Sequence, residues 1–260
     1  MKKSAIEIPS ELLHASPDVV PSFEKEGCPK DGVVAKHGPD VAPLLSEATG
    51  DFRAATGVAA APQRGANPSF ATEESGEAPG KALLLHACCA PCSSAIVEWM
   101  LAHGLRPTIF YYNPNIFPRE EYEIRKQESK RHAESLGLQW IDGDYDHEQW
   151  QHDICGLEHE PERGRRCEQC FTLRLTATAR KAQELNLTWF TTTLALSRWK
   201  SIEQITRAGQ AAEAAVPGTH FWAQNWRKCG LYERRNQLLR EYNFYNQQYC
   251  GCEFSMRKES

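Results

Sequence analysis

Nowhere among the 260 residues does an apolar run approach the ~18 residues that would nominate a membrane span, and the N-terminus lacks the apolar core of a secretory signal. A transit peptide is not expected either, because residues 1–79 carry 12 acidic against 7 basic side chains, whereas such peptides are Arg-rich and acid-poor. Two glycine signatures are also missing: neither GxGxxG nor GxxxxGKS/T occurs, so a dinucleotide fingerprint and a Walker-type phosphate loop are both excluded. Residues 1–79 contain no Trp, no Tyr and one cysteine, Cys28. A segment so poor in aromatics and rich in Ala, Pro and Gly cannot bury enough apolar area to offset its ordering entropy, and 1–79 is expected to be a disordered, acidic extension.

What is present lies beyond it. All seven Trp, all eight Tyr and nine of the ten Cys follow residue 79, and the 34 acidic and 30 basic residues divide so that 80–260 is almost neutral. That length suffices for one domain with a proper core. The expected location is the cytoplasm, where thiols stay reduced and clustered cysteines bind metal or carry redox chemistry.

From Lys81 onward, short β-prone runs alternate with amphipathic stretches. Strands are predicted over 82–86, 107–112, 138–141, 189–196 and 220–223, and helices over 93–103, 118–136, 146–154, 167–185, 201–215 and 231–242. Such alternation predicts an α/β domain with a mostly parallel sheet, whose ligands gather at the carboxyl ends of the strands. Thiols occupy the first such place: His86-Ala87-Cys88-Cys89-Ala90-Pro91-Cys92 follows the first strand directly.

Cysteines from two separate loops, Cys88/Cys89 and Cys167/Cys170, can complete a four-sulfur site. Adjacent side chains splay apart, which favours a cluster with separated iron corners over a single zinc ion, with Cys92 as a substitute ligand. Cys167 is predicted at a helix start, where the dipole favours a thiolate. Cys250-Gly251-Cys252 is different: a bond between cysteines so close is strained and easily reduced, which suits a two-electron store. Cys28, Cys155 and Cys229 read as isolated thiols, and His86 as a structural histidine. Arg165 and Arg166, and Arg234 and Arg235, form two basic patches suited to the phosphates of a nucleic acid.

Several ordered motifs resemble one known family. These are Leu84-Leu85-His86-Ala87-Cys88-Cys89-Ala90-Pro91-Cys92-Ser93, Tyr112-Asn113-Pro114-Asn115-Ile116, Glu121-Tyr122, Arg166-Cys167-x-x-Cys170-Phe171, Thr191-Thr192-Thr193-Leu194 with Ser197 and Lys200, and Tyr249-Cys250-Gly251-Cys252. Together they resemble the QueH-type epoxyqueuosine reductases over about Lys81 to Ser255.

The resemblance implies a Rossmann-like fold of the adenine-nucleotide-hydrolase type. It also implies cobalamin-independent reduction of epoxyqueuosine to queuosine at the wobble position of tRNAs with a GUN anticodon. It further implies a [4Fe-4S] cluster on Cys88, Cys89, Cys167 and Cys170, an additional iron nearby, and a redox-active disulfide between Cys250 and Cys252. Tyr122, Arg125, Ser197 and Lys200 become candidates for substrate positioning or proton delivery. The electron donor is unspecified, and no membrane partner is expected.

Overall fold

The computed structural model describes residues 6–13 and 81–256. The chain divides into two units, one formed by Met1–Pro29 with Pro79–Ser260 and the other by Lys30–Ala78. The second lies outside the described residues.

Leu83, Leu84 and Leu85 in β1 (Lys81–His86) have no exposed surface. A strand apolar on both faces must be covered on both faces, so it takes the centre of a parallel sheet. It pairs in parallel with β2 (Leu105–Tyr111) on one side and β4 (Trp189–Thr192) on the other. β3 (Trp140–Asp142) and β5 (His220–Phe221) complete the order β3-β2-β1-β4-β5. All five strands are parallel, as the alternation predicts. Successive connections leave β1 in opposite directions, which makes its carboxyl end, beside that of β4, the topological switch point.

The helices are α2 (Ala90–Ala102), α3 (Arg119–Ser135), α4 (His147–Asp153), α5 (Arg165–Glu184), α6 (Ile202–Ala215) and α7 (Leu231–Glu241). On α6, a Cβ at Gly209 would lie 2.1 Å from the Phe221 ring, so only glycine lets this helix approach β5. Among the element boundaries that differ from the sequence reading, two bear on the site. α2 begins at Ala90, with Pro91 in its first turn where the missing N–H costs nothing. β4 stops at Thr192 because the Thr192 hydroxyl accepts from Leu194 N, turning 193–196 into a 3₁₀ turn.

The expectation for 1–79 meets described structure only at 6–13. There α1 (Ser10–Leu13) brings Leu12 into the core, 4% exposed, and the Glu7 carbonyl accepts from Trp222 Nε1 at 3.0 Å. This short piece packs on the domain; the rest of 1–79 lies outside the described residues. Among the described residues no helix is long and apolar enough to cross a membrane.

Candidate active site

The turn from β1 into α2 carries three thiols. The sulfurs of Cys88, Cys89 and Cys92 lie within 4.8 Å of one another, with Cys88 and Cys89 3.8 Å apart. Thr193, just past β4, accepts from Cys88 N at 3.1 Å and donates its hydroxyl to Cys88 Sγ at 3.4 Å. Hydrogen bonds from the Cys89 and Cys92 thiols, helped by the Lys200 charge against the effect of burial, hold Cys88 well below the usual thiol range. In this triad Cys88 therefore releases its proton first. His86 is structural: its ring joins the Thr192 hydroxyl at 2.8 Å and the Tyr112 carbonyl at 3.0 Å, and burial lowers its pKa to about 3. A neutral ring with both nitrogens occupied ties β1 to its neighbours.

Cys167 and Cys170 stand on the first turns of α5, apart from the compact triad. Arg163 N donates to Cys167 Sγ at 3.3 Å, yet burial outweighs that bond and pushes the thiol up. The thiolate expected from the helix start is therefore not favoured here. Cys170 packs with Trp150, Ile154 and Cys252. One turn further on, Arg174 is buried and donates to Asn113 Oδ1, while Asn113 Nδ2 donates to the Ala87 carbonyl at 3.0 Å. Arg174 thus braces the thiol-bearing turn through a side-chain amide, and its Nε has no partner. The sequence reading missed it, although an arginine four residues after Cys170 shares that cysteine's helical face.

The chain returns to the site at its C-terminal end. α3 has few apolar residues, and its inward face carries Glu121, Arg125, Ser129 and His132. Arg125, 2% exposed, is paired with Glu121 at 2.6 Å and donates to the carbonyls of Cys250 (3.2 Å) and Tyr249 (3.3 Å). Tyr245 donates its hydroxyl to the same Glu121 at 2.7 Å, and Gln247 Nε2 donates to Cys89 Sγ at 3.2 Å. Gly251 lies at φ +141°, where a side chain is strained. Cys250 and Cys252 are both free thiols in this structure, with no disulfide between them. Burial pushes the Cys252 thiol up to about 12, so it keeps its proton.

One cavity of about 460 Å³ joins these parts, lined among others by Cys88, Cys92, Cys250, Arg125, Arg174 and Lys200. Ser197 also lines it. Burial works against the Lys200 charge, but the facing Cys250, Cys88 and Cys92 hold its ammonium above the ordinary lysine range. Arg125, Ser197 and Lys200 are thus brought to the cavity.

Tyr122 is not. It is fully buried among Tyr111, Ile116 and Tyr145, with its hydroxyl 3.4 Å from Asp142 Oδ1; although it lies one helical turn from the cavity-facing Arg125, the two side chains enter different surroundings. The two basic patches do not assemble either. Arg166 is 2% exposed, donates to the carbonyls of Leu157 and Glu158 and stacks over the Phe254 ring, so it braces a loop. Arg165 pairs with Glu160 at 2.7 Å. Arg234 is neutralised by Glu98 at 2.8 Å and Glu241 at 2.9 Å. Arg235 alone of the four lines the cavity. Of the remaining thiols, Cys155 is exposed and free, whereas Cys229 is disulfide-bonded and not the isolated thiol its position suggests.

Sulfur donors suit iron–sulfur clusters and zinc alike. The adjacent Lys200 and Arg125 cations offset the charge that bound thiolates bring, and the triad therefore fits a thiolate-held metal group.

The sequence is similar to those of known proteins. The family model described as epoxyqueuosine reductase QueH matches residues 83–258. Among similar proteins, the epoxyqueuosine reductase QueH of Acinetobacter baylyi is 45% identical over 175 residues, spanning 67% of this chain and 80% of that protein. The protein of that name from Haemophilus influenzae is 45% identical over 175 residues, 67% of this chain and 71% of its own length. The one from Thermotoga maritima is 33% identical over 177 residues, 67% and 90% respectively. The match covers the sheet from Leu83 onward and all three cysteine groups at the site. The chain belongs to the epoxyqueuosine reductase QueH family.

Proposed function

We propose that this chain is a cytoplasmic oxidoreductase that reduces the epoxide of epoxyqueuosine, in tRNA with a GUN anticodon, to the alkene of queuosine. The observation that carries this reading is the convergence of Cys88, Cys92 and Cys250 on one cavity at the switch point of the sheet, in a chain of this family. Removing the epoxide oxygen breaks two C–O bonds, forms a C=C bond and releases water. That balance needs two electrons and two protons. The dithiol of Cys250 and Cys252 contains both, and it ends as a disulfide that a separate electron donor must reduce before the next turnover.

Each side chain then has a task. Lys200 keeps its ammonium proton beside the thiols and donates a hydrogen bond to the departing oxygen. Cys252 holds its proton until Cys250 is consumed. Arg125 positions Cys250 by gripping the backbone on either side of its peptide. Ser197 lies on the same wall and orients the substrate's hydroxyl groups.

In the reading favoured by the motifs, Cys88, Cys89, Cys167 and Cys170 hold a [4Fe-4S] cluster, with Cys92 as the substitute that the compact triad supports and an additional iron nearby. When bound, that cluster supplies single-electron relay and Lewis acidity without cobalamin.

Anaerobic reconstitution, iron and sulfide analysis and an assay on epoxyqueuosine-bearing tRNA test the proposal. Stoichiometric zinc and a colourless protein would overturn the cluster. Cys250→Ser is expected to keep the metal content and lose turnover by at least a hundredfold; unchanged turnover would remove the dithiol role.

A further inference from the structure

Residues 197–200 lead from the 3₁₀ turn into α6, and every carbonyl in the stretch is held by an arginine. Arg163 donates through Nε to the Trp199 carbonyl at 2.8 Å and through Nη2 to the Arg198 carbonyl at 2.9 Å. Arg227 Nη2 donates to the carbonyls of Ser197 and of Lys200, the latter at 2.6 Å. The backbone is thereby pinned from two sides. Yet its one large apolar side chain, Trp199, is 70% exposed, against 40–45% for the other exposed large hydrophobic side chains among the described residues. An indole presented to water on a rigid loop contributes nothing to the core.

The loop is a ridge between two hollows. On one side is the thiol cavity, which Trp199 itself lines. On the other is a hollow of about 490 Å³ whose lining includes Arg163, Arg198, Lys200, Arg207 and Arg227, with Glu203 as the sole carboxylate in it. Arg207 is paired with Glu168. Arg163 and Arg227, by contrast, make the bonds described above to neutral carbonyls, neither forms an ion pair among the described residues, and Arg227 Nε is buried with no partner there. Positive charge of this kind takes an anion, and a ridge with an aromatic face takes a planar ring.

We propose that Trp199 is the stacking platform for the nucleobase adjacent to the modified nucleoside, and that the hollow behind it receives a phosphate of the same strand. This rests on the reading of the substrate as tRNA. Placing the reacting nucleoside against the thiols requires it to leave its stack, and the neighbour that loses a stacking partner gains one in Trp199. Any base offers a π face, so the platform contributes affinity and placement without reading sequence.

The test uses the full-length reconstituted protein and an RNA hairpin carrying a GUN anticodon loop, with binding followed by fluorescence anisotropy. Trp199→Ala is expected to weaken binding about tenfold, within the range for loss of one stacked base, and Trp199→Phe to restore most of it. An abasic residue placed on either side of the wobble nucleotide gives the decisive measurement. On one of the two sides it should weaken wild-type binding by a similar factor and leave Trp199→Ala no weaker. Arg198→Gln should lower the slope of log affinity against log salt by about one. Wild-type affinity in Trp199→Ala, losses that combine in full at both abasic positions, or an unchanged salt slope would overturn the proposal while wild-type binding and turnover left the tRNA reading standing. Failure of the wild-type protein to bind the hairpin or reduce its epoxide would overturn both.

Discussion

The two sets of thiols that meet at the cavity are secured by different means. Cys88, Cys89 and Cys92 belong to the turn between the central strand and α2, so the sheet, through β1 and the Thr193 hydroxyl, dictates where their sulfurs lie. Cys250 and Cys252 belong to no sheet or long helix. They are suspended over α3 by side chains 124 and 125 residues away in sequence, chiefly Arg125 bonding to the Tyr249 and Cys250 carbonyls. The first set should persist for as long as the core does. The second can be released by a single substitution with the sheet still intact, which is the mechanical property expected of a redox arm.

Arg125→Ala attacks that difference most strongly. It leaves Glu121, 7% exposed, as a buried carboxylate without its cation and frees the C-terminal arm. Breaking such a pair costs about 3–5 kcal/mol, so a chemical denaturation midpoint should fall sharply and epoxide reduction should be lost. Equal stability of the variant and the parent would refute the grip on the arm.

Acid should loosen the same region next. His132 is wedged edge-on against Tyr242 and Phe244. Burial, reinforced by the Arg131 charge, lowers its pKa to about 4 from the ordinary 6.5. Between those values the unfolded chain binds the extra proton and the folded one does not. Stability is therefore complete above pH 6.5 and declines as pH falls toward 4, by up to about 3 kcal/mol. Melting curves of His132→Phe should be flatter across that window than those of the parent; parallel curves would show that His132 is not the titrating group.

Gly251→Ala is a milder challenge. The new Cβ would meet Asn115 Nδ2 at 3.1 Å, Ile116 Cγ1 at 3.2 Å and Arg125 Nη1 at 3.3 Å, on a backbone at φ +141°. Such strain costs about 1–3 kcal/mol. Limited proteolysis should then cut the C-terminal arm faster while hydrogen exchange in β1 stays unchanged.

Thr193→Val should have the smallest effect. It removes one acceptor from Cys88 N and one donor to Cys88 Sγ, at a cost of about 1 kcal/mol. Metal content after reconstitution should stay near that of the parent, because the sheet still holds the turn. Loss of the metal in this variant, with the metal retained in Arg125→Ala, would reverse the comparison between the two thiol sets.

Periodicity and punctuation made the sheet legible. The Leu83–Leu85 run, the β-prone stretches and the glycines and prolines between them predict the alternation of strands and helices and the parallel pairing that the fold displays. The thiol site was legible for a similar reason: three cysteines directly after a central strand stand where such folds keep their ligands. The arginines were not. Arg166 and Arg234 read as members of basic patches suited to phosphates, whereas one braces a loop of carbonyls and the other is held by two carboxylates. Tyr122 shares a helix with Arg125 but faces a different cluster of rings. Trp199 was visible as a residue; its exposure, and the arginines that pin its loop, were not.

The amino-acid sequence by itself determined the parallel α/β sheet and the cysteines that follow its first strand, because these follow from local hydrophobic pattern and chain order; the strand order, and with it the switch point, came with the fold. Only the tertiary structure decided which charges are buried, which are cancelled and which remain open. Those outcomes depend on carbonyls and carboxylates supplied from far along the chain, as Arg125 shows with Glu121 beside it and the Cys250 carbonyl 125 residues away. A guanidinium carries the same charge in every sequence window, and what it does is set by the partners the fold brings to it.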